Sequence, residues 1–332
     1  MLKVANMLKI KVFPRIHISL IGMNYNGYRL NGGIGFSIAT PTLDMVFRPS
    51  NSIDVIDNRK EGFTDVELKK LQTHLNDIRK REKLNNGMCC FIQTGMIQSH
   101  VGFGSNTMVY LSCIEALLII NNRKYSNNEI IVLASRGGTS GIGINTYFSG
   151  GFVFDTGIAN IEQHTLAPSS SFVGQPVRMP LLFKHLKLPQ WELGICIFPI
   201  KHKSEDEEKD FFKTKCPIEQ ESVEKILYES VYGVTSSLME NDFHVFCKSI
   251  DAIQQTRWKM LERSVYGDEL VNIETIIRRA GAQCVGMSSF GPLLYFFGND
   301  IDSIVEKVNN ELSQRVCFKT AFNNSSRIVG ND

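Results

Sequence analysis

Apolar residues at Ile16, Ile18 and Leu20 alternate with polar His17 and Ser19, which predicts a strand over residues 10–21. Arg15 and His17 would stand together on its polar side. Gly27, Gly32, Gly33 and Gly35 predict a turn, with a short strand following over 35–39. Leu68, Leu71, Leu75 and Ile78 recur at helical spacing and predict a helix over 66–80. A strand over 88–97 and an apolar helix over 108–120 come next. Residues 150–157 read as a strand closing on a turn. Three helical stretches are predicted over 218–238, 242–255 and 268–279, then a helix through Ile301, Ile304, Val305, Val308 and Leu312, then a strand over 316–322. The mixed charge run over 201–215 reads as a solvated loop. There is no internal repeat.

Three loops of small residues punctuate this pattern. Gly102-Phe103-Gly104-Ser105-Asn106-Thr107 opens the apolar helix. Arg136-Gly137-Gly138-Thr139-Ser140-Gly141-Ile142-Gly143 precedes the strand after residue 150. Gly286-Met287-Ser288-Ser289-Phe290-Gly291 lies between two apolar segments.

Length and composition narrow the class. At about 150 residues per domain, 332 residues suggest two domains, with a boundary near 175–190. Lys+Arg is 36 and Asp+Glu is 34, a net charge of +2, which gives no basic stripe for nucleic acid. With 43% hydrophobic and 21% charged residues the chain can bury a core, so it is not a disordered one. The eight Cys include no C-x2-C pair, which excludes a locally spaced zinc site and points to reduced thiols in a cytoplasmic protein. No run approaches the ~20 apolar residues of a membrane span, and the N-terminus has no continuous apolar segment of a signal peptide.

The loops suggest chemistry. A small-residue turn that opens a helix aims backbone N–H groups at one spot, where the helix dipole favours an anion. Residues 102–107 can therefore cradle a phosphate, with Ser105 in reach of a bound Mg²⁺; the plainer alternative is a tight turn with Ser105 as the N-cap. Arg136 beside two Gly can offer a bidentate fork to phosphate or carboxylate, or pair with a surface acid. The loop at 286–291 gains meaning if it faces the first loop. His17 reads as a site residue or a hydrogen-bonded core residue, Asp155 as a site acid or a turn cap, and Glu115 as a Mg²⁺ ligand or a packed helical acid.

Taken in this order, Pro14-Arg15-Ile16-His17, the loop at 102–106 and the loop at 286–291 resemble the GHMP superfamily of small-molecule kinases. The chain is more closely similar to one branch, the β-ribofuranosylaminobenzene 5′-phosphate synthases of methanopterin biosynthesis, a family of archaeal enzymes. That likeness rests on Arg15-Ile16-His17, Gly32-Gly33-Ile34-Gly35, Arg136–Gly143 followed by Gly150-Gly151-Phe152, and Ser288–Pro292. Gly143 stands where the kinases commonly carry Asp. Glycine cannot accept a proton from a hydroxyl nucleophile, which argues against ordinary phosphoryl transfer. Two acids usual in the branch are absent, with Gly22 and Asn31 in their places.

The resemblance implies an α+β, GHMP-kinase-like two-domain fold. A ribosomal-S5-like N-terminal domain with the phosphate-binding loop would cover residues 1–180, and a ferredoxin-like α/β sandwich 181–332. It implies a homodimer that condenses phosphoribosyl pyrophosphate with 4-aminobenzoate or 4-hydroxybenzoate and releases pyrophosphate and CO2. In that chemistry Gly102, Gly104, Ser105, Asn106 and Thr107 hold pyrophosphate. Arg136, Gly137, Gly138, Thr139 and Ser140 hold a second anionic group. Arg15, His17 and Arg29 face the reacting centre, Ser288, Ser289 and Gly291 close the pocket, and Asp155 or Glu115 binds Mg²⁺. Two other readings stay open: a kinase of the same fold, with Asp155 replacing the missing acid, and a ligand-binding homologue without catalysis.

Overall fold

A computed structural model describes residues 7–161, 165–172, 178–200, 203–313 and 316–331. In chain order it runs β1 (Leu8–Val12), β2 (Arg15–Gly22), β3 (Arg29–Ser37), β4 (Leu43–Ser50), β5 (Ile53–Asp57), α1 (Asp65–Arg81), β6 (Gly87–Ile92), α2 (Ser105–Ile120), α3 (Asn127–Ala134), α4 (Ile142–Ser149), β7 (Phe152–Asp155), β8 (Ile158–Ala159), β9 (Leu182–Leu186) and β10 (Glu192–Cys196). It continues with α5 (Glu205–Lys215), α6 (Gln220–Tyr228), α7 (Ser236–Glu240), α8 (Phe243–Gln254), α9 (Arg257–Ser264), α10 (Gly267–Arg279), β11 (Cys284–Met287), β12 (Leu294–Phe297), α11 (Ile301–Leu312), β13 (Cys317–Ala321) and β14 (Ile328–Asn331).

The strands form three sheets, ordered β14-β1-β4-β6-β5, β2-β3-β7-β9 with β8 beside β3, and β11-β12-β10-β13. The expected strand over 10–21 is two strands in different sheets. Pro14 sits at the break, where it has no N–H to give a ladder. β1 keeps the half-buried alternation, whereas β2 is buried on both faces, so His17 and Ser19 are as enclosed as Ile16 and Ile18. Of the glycines that predicted a turn, Gly27 lies in the bend before β3, whereas Gly32, Gly33 and Gly35 lie inside the strand. There a Cβ on Gly33 would sit 2.8 Å from the Ser19 carbonyl and 3.0 Å from His17 Nε2, so glycine lets β3 close over His17.

Helix α2 is buried around most of its circumference and forms the central rod of the core. The charge run that read as a solvated loop is α5. A capping box starts it: Glu207 N donates to Ser204 Oγ at 3.2 Å, and Ser204 N donates to Glu207 Oε2 at 2.8 Å. Phe211 and Phe212 then pack on Trp258, with centroids 5.6 and 5.1 Å away. Lys201 and His202 of that run lie outside the described residues. The stretch over 218–238 is helical from Gln220 onward and passes through a π-helical segment, Glu229–Thr235, between α6 and α7.

The two halves interlock. β9, just beyond residue 180, pairs with β7, and β14 pairs with β1. Ile38 bridges to Phe322, and one apolar core runs through both halves. All eight cysteines are free thiols.

Candidate active site where three loops meet

Helix α2 begins at Ser105, and Gly104 is its N-cap in the left-handed region, at φ 78°. No side chain caps the helix, so Ser105 belongs to the first turn rather than to the cap. The first-turn N–H groups keep their positive end for a ligand. Gly102, at φ 116°, is pressed against the third loop: a Cβ there would lie 2.7 Å from the Ser288 carbonyl.

That third loop is clamped on the first. Ser288 Oγ donates to the Gly102 carbonyl at 2.8 Å and accepts from His17 N at 3.0 Å. Ser289 N donates to the His17 carbonyl at 2.9 Å. Arg15 Nη1 donates to the same Gly102 carbonyl at 2.6 Å. Behind the loop, fully buried Lys259 donates to the carbonyls of Met287 at 2.9 Å and Ser289 at 3.2 Å, and its charge is met by Glu262 at 2.5 Å.

The middle loop is fixed from β3 and β7. Gly32 N donates to the Thr139 carbonyl at 2.9 Å, and Asn31 Nδ2 donates to the Gly138 carbonyl at 2.9 Å. Asp155 accepts from Gly141 N and Gly157 N at 3.0 Å each, and from Ser140 Oγ at 3.3 Å. Ser140 Oγ also stands 3.2 Å from His17 Nε2. Burial pushes the Asp155 carboxyl up to about 7 against the pull of those donors. Burial, with Arg15 and Lys259 nearby, holds the His17 pKa well below the usual histidine range. His17 is therefore a neutral hydrogen-bonding group at pH 7.

Together the loops line a cavity of about 190 Å³. Of the predicted residues, Arg15, His17, Gly102, Gly104, Ser105, Asn106, Thr107, Arg136, Thr139, Ser140, Ser289 and Gly291 are on its wall. Gly137, Gly138 and Ser288 stand behind it and shape the loops.

Three expected site residues are placed elsewhere. Glu115 is fully buried away from the cavity: Tyr125 and Tyr147 donate to it at 3.0 and 2.6 Å, and Arg327 forms a bidentate pair with it. Its charge is thus consumed by the fold. Arg29 clips β3 to the turn after β7 by donating to the carbonyls of Thr156 and Gly157 at 2.7 and 2.6 Å. Asp155 is fully buried behind Ser140 and does not line the cavity.

Arg136 is the unusual group. It is 6% exposed, makes no ion pair among the described residues, and its Nε has no hydrogen-bond partner. Its guanidinium lies 4.3 Å from the Tyr110 ring centroid. Burial lowers its pKa from the usual arginine value. A second cavity, of about 570 Å³, opens on the other side of Arg136 between α1, α2 and α5. Asn106, Arg136 and Ser170 line both cavities, and each carries a buried polar atom with no partner.

No protein-family model matches the chain. The chain is 29% identical over 288 residues to a β-ribofuranosylphenol 5′-phosphate synthase of Methanothermobacter thermautotrophicus, covering 85% of each chain. It is 28% identical over 304 residues to the protein of that name in Methanocaldococcus jannaschii, covering 89% of this chain and 90% of that one. The chain is a homologue of these synthases. Its fold is that of the GHMP kinases. Homoserine kinase from Cytophaga hutchinsonii superposes with a TM-score of 0.67 at 14% identity over 99% of both chains. Mevalonate kinase of L. major in complex with R-mevalonate gives 0.68 at 14% over 96% of both.

Several wall residues of this synthase homologue carry no signal in its loops. Glu208 and Phe212 come from α5, and the Ser204…Glu207 capping pattern ahead of Phe211-Phe212 is the signal that marks that helix. Burial and neighbouring Glu262 push the Glu208 carboxyl up to about 7. His100, 2.6 Å from Glu67, has its pKa raised by that carboxylate. Among the described residues, no group of three or more His, Cys, Asp or Glu is placed to hold a metal ion. No helix among them is long and apolar enough to cross a membrane.

Proposed function

We propose that this chain is an enzyme that joins the ribosyl carbon of phosphoribosyl pyrophosphate to the ring of 4-hydroxybenzoate, releasing pyrophosphate and CO2. The curated homologues are named for a phenol product, which favours 4-hydroxybenzoate over 4-aminobenzoate. The observation that carries the reading is Gly143 on the cavity wall, among three loops suited to anions and beside a neutral His17. The wall has no acid at that point to take a proton from a hydroxyl nucleophile. Asp155, the substitute a kinase would need, is sealed behind Ser140.

The reaction needs no net proton transfer to the enzyme. The C1–O bond to pyrophosphate breaks, and the ring carbon that bears the carboxylate bonds to C1. The bond to the carboxylate then breaks, and its electron pair returns to the ring as CO2 leaves. The first turn of α2, with Ser105, Asn106 and Thr107, takes up charge on the departing pyrophosphate. Arg15 adds a fixed cation, which burial lowers to a pKa of about 10 and which therefore stays charged at pH 7. His17 donates a hydrogen bond without adding a second charge. Phe212, Phe290 and Leu20 exclude water from the electron-poor C1.

Mg²⁺ belongs to this reading. Ions of this kind are held by one or two carboxylates plus substrate phosphates. Glu208 on the cavity wall and the Ser105 hydroxyl fit that donor set, whereas Glu262 is taken by Lys259. The ion would supply charge neutralisation at the leaving group. A cytoplasmic homodimer is part of the same reading, and the exposed apolar side chains of Leu181, Leu182 and Phe183, at the start of the outer strand β9, offer it an apolar edge.

The test is the bond formed. With 4-hydroxybenzoate labelled at the carboxyl-bearing ring carbon and donor labelled at C1, both with carbon-13, the product must show one-bond carbon–carbon coupling. A product labelled at both positions but joined through oxygen would overturn the proposal.

A further inference from the structure

We infer that the cavity between α1, α2 and α5 is the subsite for the aromatic acid, with Arg136 and Ser170 receiving its carboxylate at the wall shared with the phosphoribosyl cavity. This rests on the functional reading above and says where its second substrate lies.

Buried polar atoms without partners are rare in folded proteins, because each loses its hydration for nothing. Three of them meet at one wall between two cavities: Arg136 Nε and Ser170 Oγ, which can donate, and Asn106 Oδ1, which can only accept. Arg136 is a buried cation with no carboxylate partner, a costly arrangement unless a ligand completes it. Its ring contact with Tyr110 fixes the plane of the guanidinium and leaves its edge for donation. The guanidinium edge and the Ser170 hydroxyl suit a planar oxyanion such as a carboxylate.

The second cavity suits what the carboxylate is attached to. Tyr110 and Phe63 give it aromatic wall, and Val66 and the stems of Lys69 and Lys70 add apolar surface. With the carboxylate on the shared wall, the ring extends toward α1. Its carboxyl-bearing carbon is then the atom nearest the phosphoribosyl cavity, which is the atom that must bond to C1. The carboxylate that anchors the substrate is thereby the group that leaves. A ring placed the other way would present its hydroxyl to C1 and form an oxygen-linked product.

Thr73 lines this cavity from an exposed position on α1, and its hydroxyl only returns to the Lys69 carbonyl at 2.8 Å. Thr73→Trp should therefore fold, fill the cavity and leave the phosphoribosyl cavity open. The expected result is a rise of at least about tenfold in KM for 4-hydroxybenzoate, with KM for phosphoribosyl pyrophosphate changed less than about twofold; a tenfold effect corresponds to about 1.4 kcal/mol. Val66→Trp, at a second exposed position on the same wall, should do the same. If the wild type releases CO2 from 4-hydroxybenzoate and both variants keep its KM, the subsite assignment is overturned while the functional reading stands. Loss of ATP binding in these variants, with both KM values kept, overturns it in favour of a nucleotide subsite. A wild type with no phosphoribosyl-dependent CO2 release overturns the functional reading, and this assignment with it.

Discussion

Ser288 Oγ donates to the carbonyl of Gly102 at 2.8 Å, although the two residues are 186 positions apart. The same oxygen accepts from His17 N, so one hydroxyl fastens the third loop to the first loop and to β2. Ser288→Ala leaves the Gly102 carbonyl to Arg15 alone and orphans a buried N–H. A cost of about 1–3 kcal/mol in stability is expected. Chemical denaturation should register it, and KM for phosphoribosyl pyrophosphate should rise with it, because the cavity wall loosens. An unchanged denaturation midpoint would contradict the clamp.

Arg136 gives the opposite pairing of effects. Its charge is buried and unpaired in the protein alone, so Arg136→Ala removes little that stabilises the fold. The melting temperature should stay level or rise, while kcat/KM falls by about 100-fold or more, as for loss of one charge-stabilising donor in a dry site. Activity retained at saturating substrate would contradict its role.

Gly143→Asp tests the missing kinase acid. A Cβ at this position would meet Thr107 Cγ2 at 3.5 Å, an ordinary contact, so the variant should fold. Its carboxylate would enter a cavity built for anions. Weaker binding of phosphoribosyl pyrophosphate is expected, by about tenfold or more (~1.4 kcal/mol), with no ATP-dependent phosphorylation gained. Calorimetric titration measures the first, and a coupled ADP assay the second.

Glu208 predicts a pH dependence of stability. Burial first, then Glu262, push its carboxyl up to about 7, above the ordinary glutamate value of 4.5. Between those values the folded protein holds a proton that the unfolded chain has released, so stability falls as pH rises from about 4.5 to 7. In Glu208→Gln this loss disappears. Urea midpoints at pH 5 and pH 8, without divalent cation, should therefore lie closer together in the variant than in the wild type. Equal differences would contradict the burial of this acid.

The three loops were legible in the sequence because their chemistry is local. Gly102, Gly104 and Ser105 are small where an anion must come near a helix start, and Arg136 stands beside two glycines that leave its fork open to a ligand. What was not legible depends on partners far along the chain. Glu115 and Asp155 look like metal-binding acids until Arg327, Tyr147 and the Gly141 and Gly157 amides are seen to occupy them. Gly33 and Gly35 punctuate the sequence as a turn would, yet they serve close packing inside β3. In α5, charged residues mask the buried face formed by Phe211 and Phe212, so the helix that carries Glu208 read as solvent-exposed loop. Gly22 and Asn31, which replace two acids of the related synthases, are cross-strand partners. Asn31 uses its amide to hold the middle loop, a donation a carboxylate could not make.

The most direct test is release of labelled CO2 from carboxyl-labelled 4-hydroxybenzoate, with Mg²⁺ and with or without phosphoribosyl pyrophosphate. Release should require the phosphoribosyl donor and match pyrophosphate one for one. No release from 4-hydroxybenzoate or 4-aminobenzoate by the folded protein, or release indifferent to the donor, would contradict it.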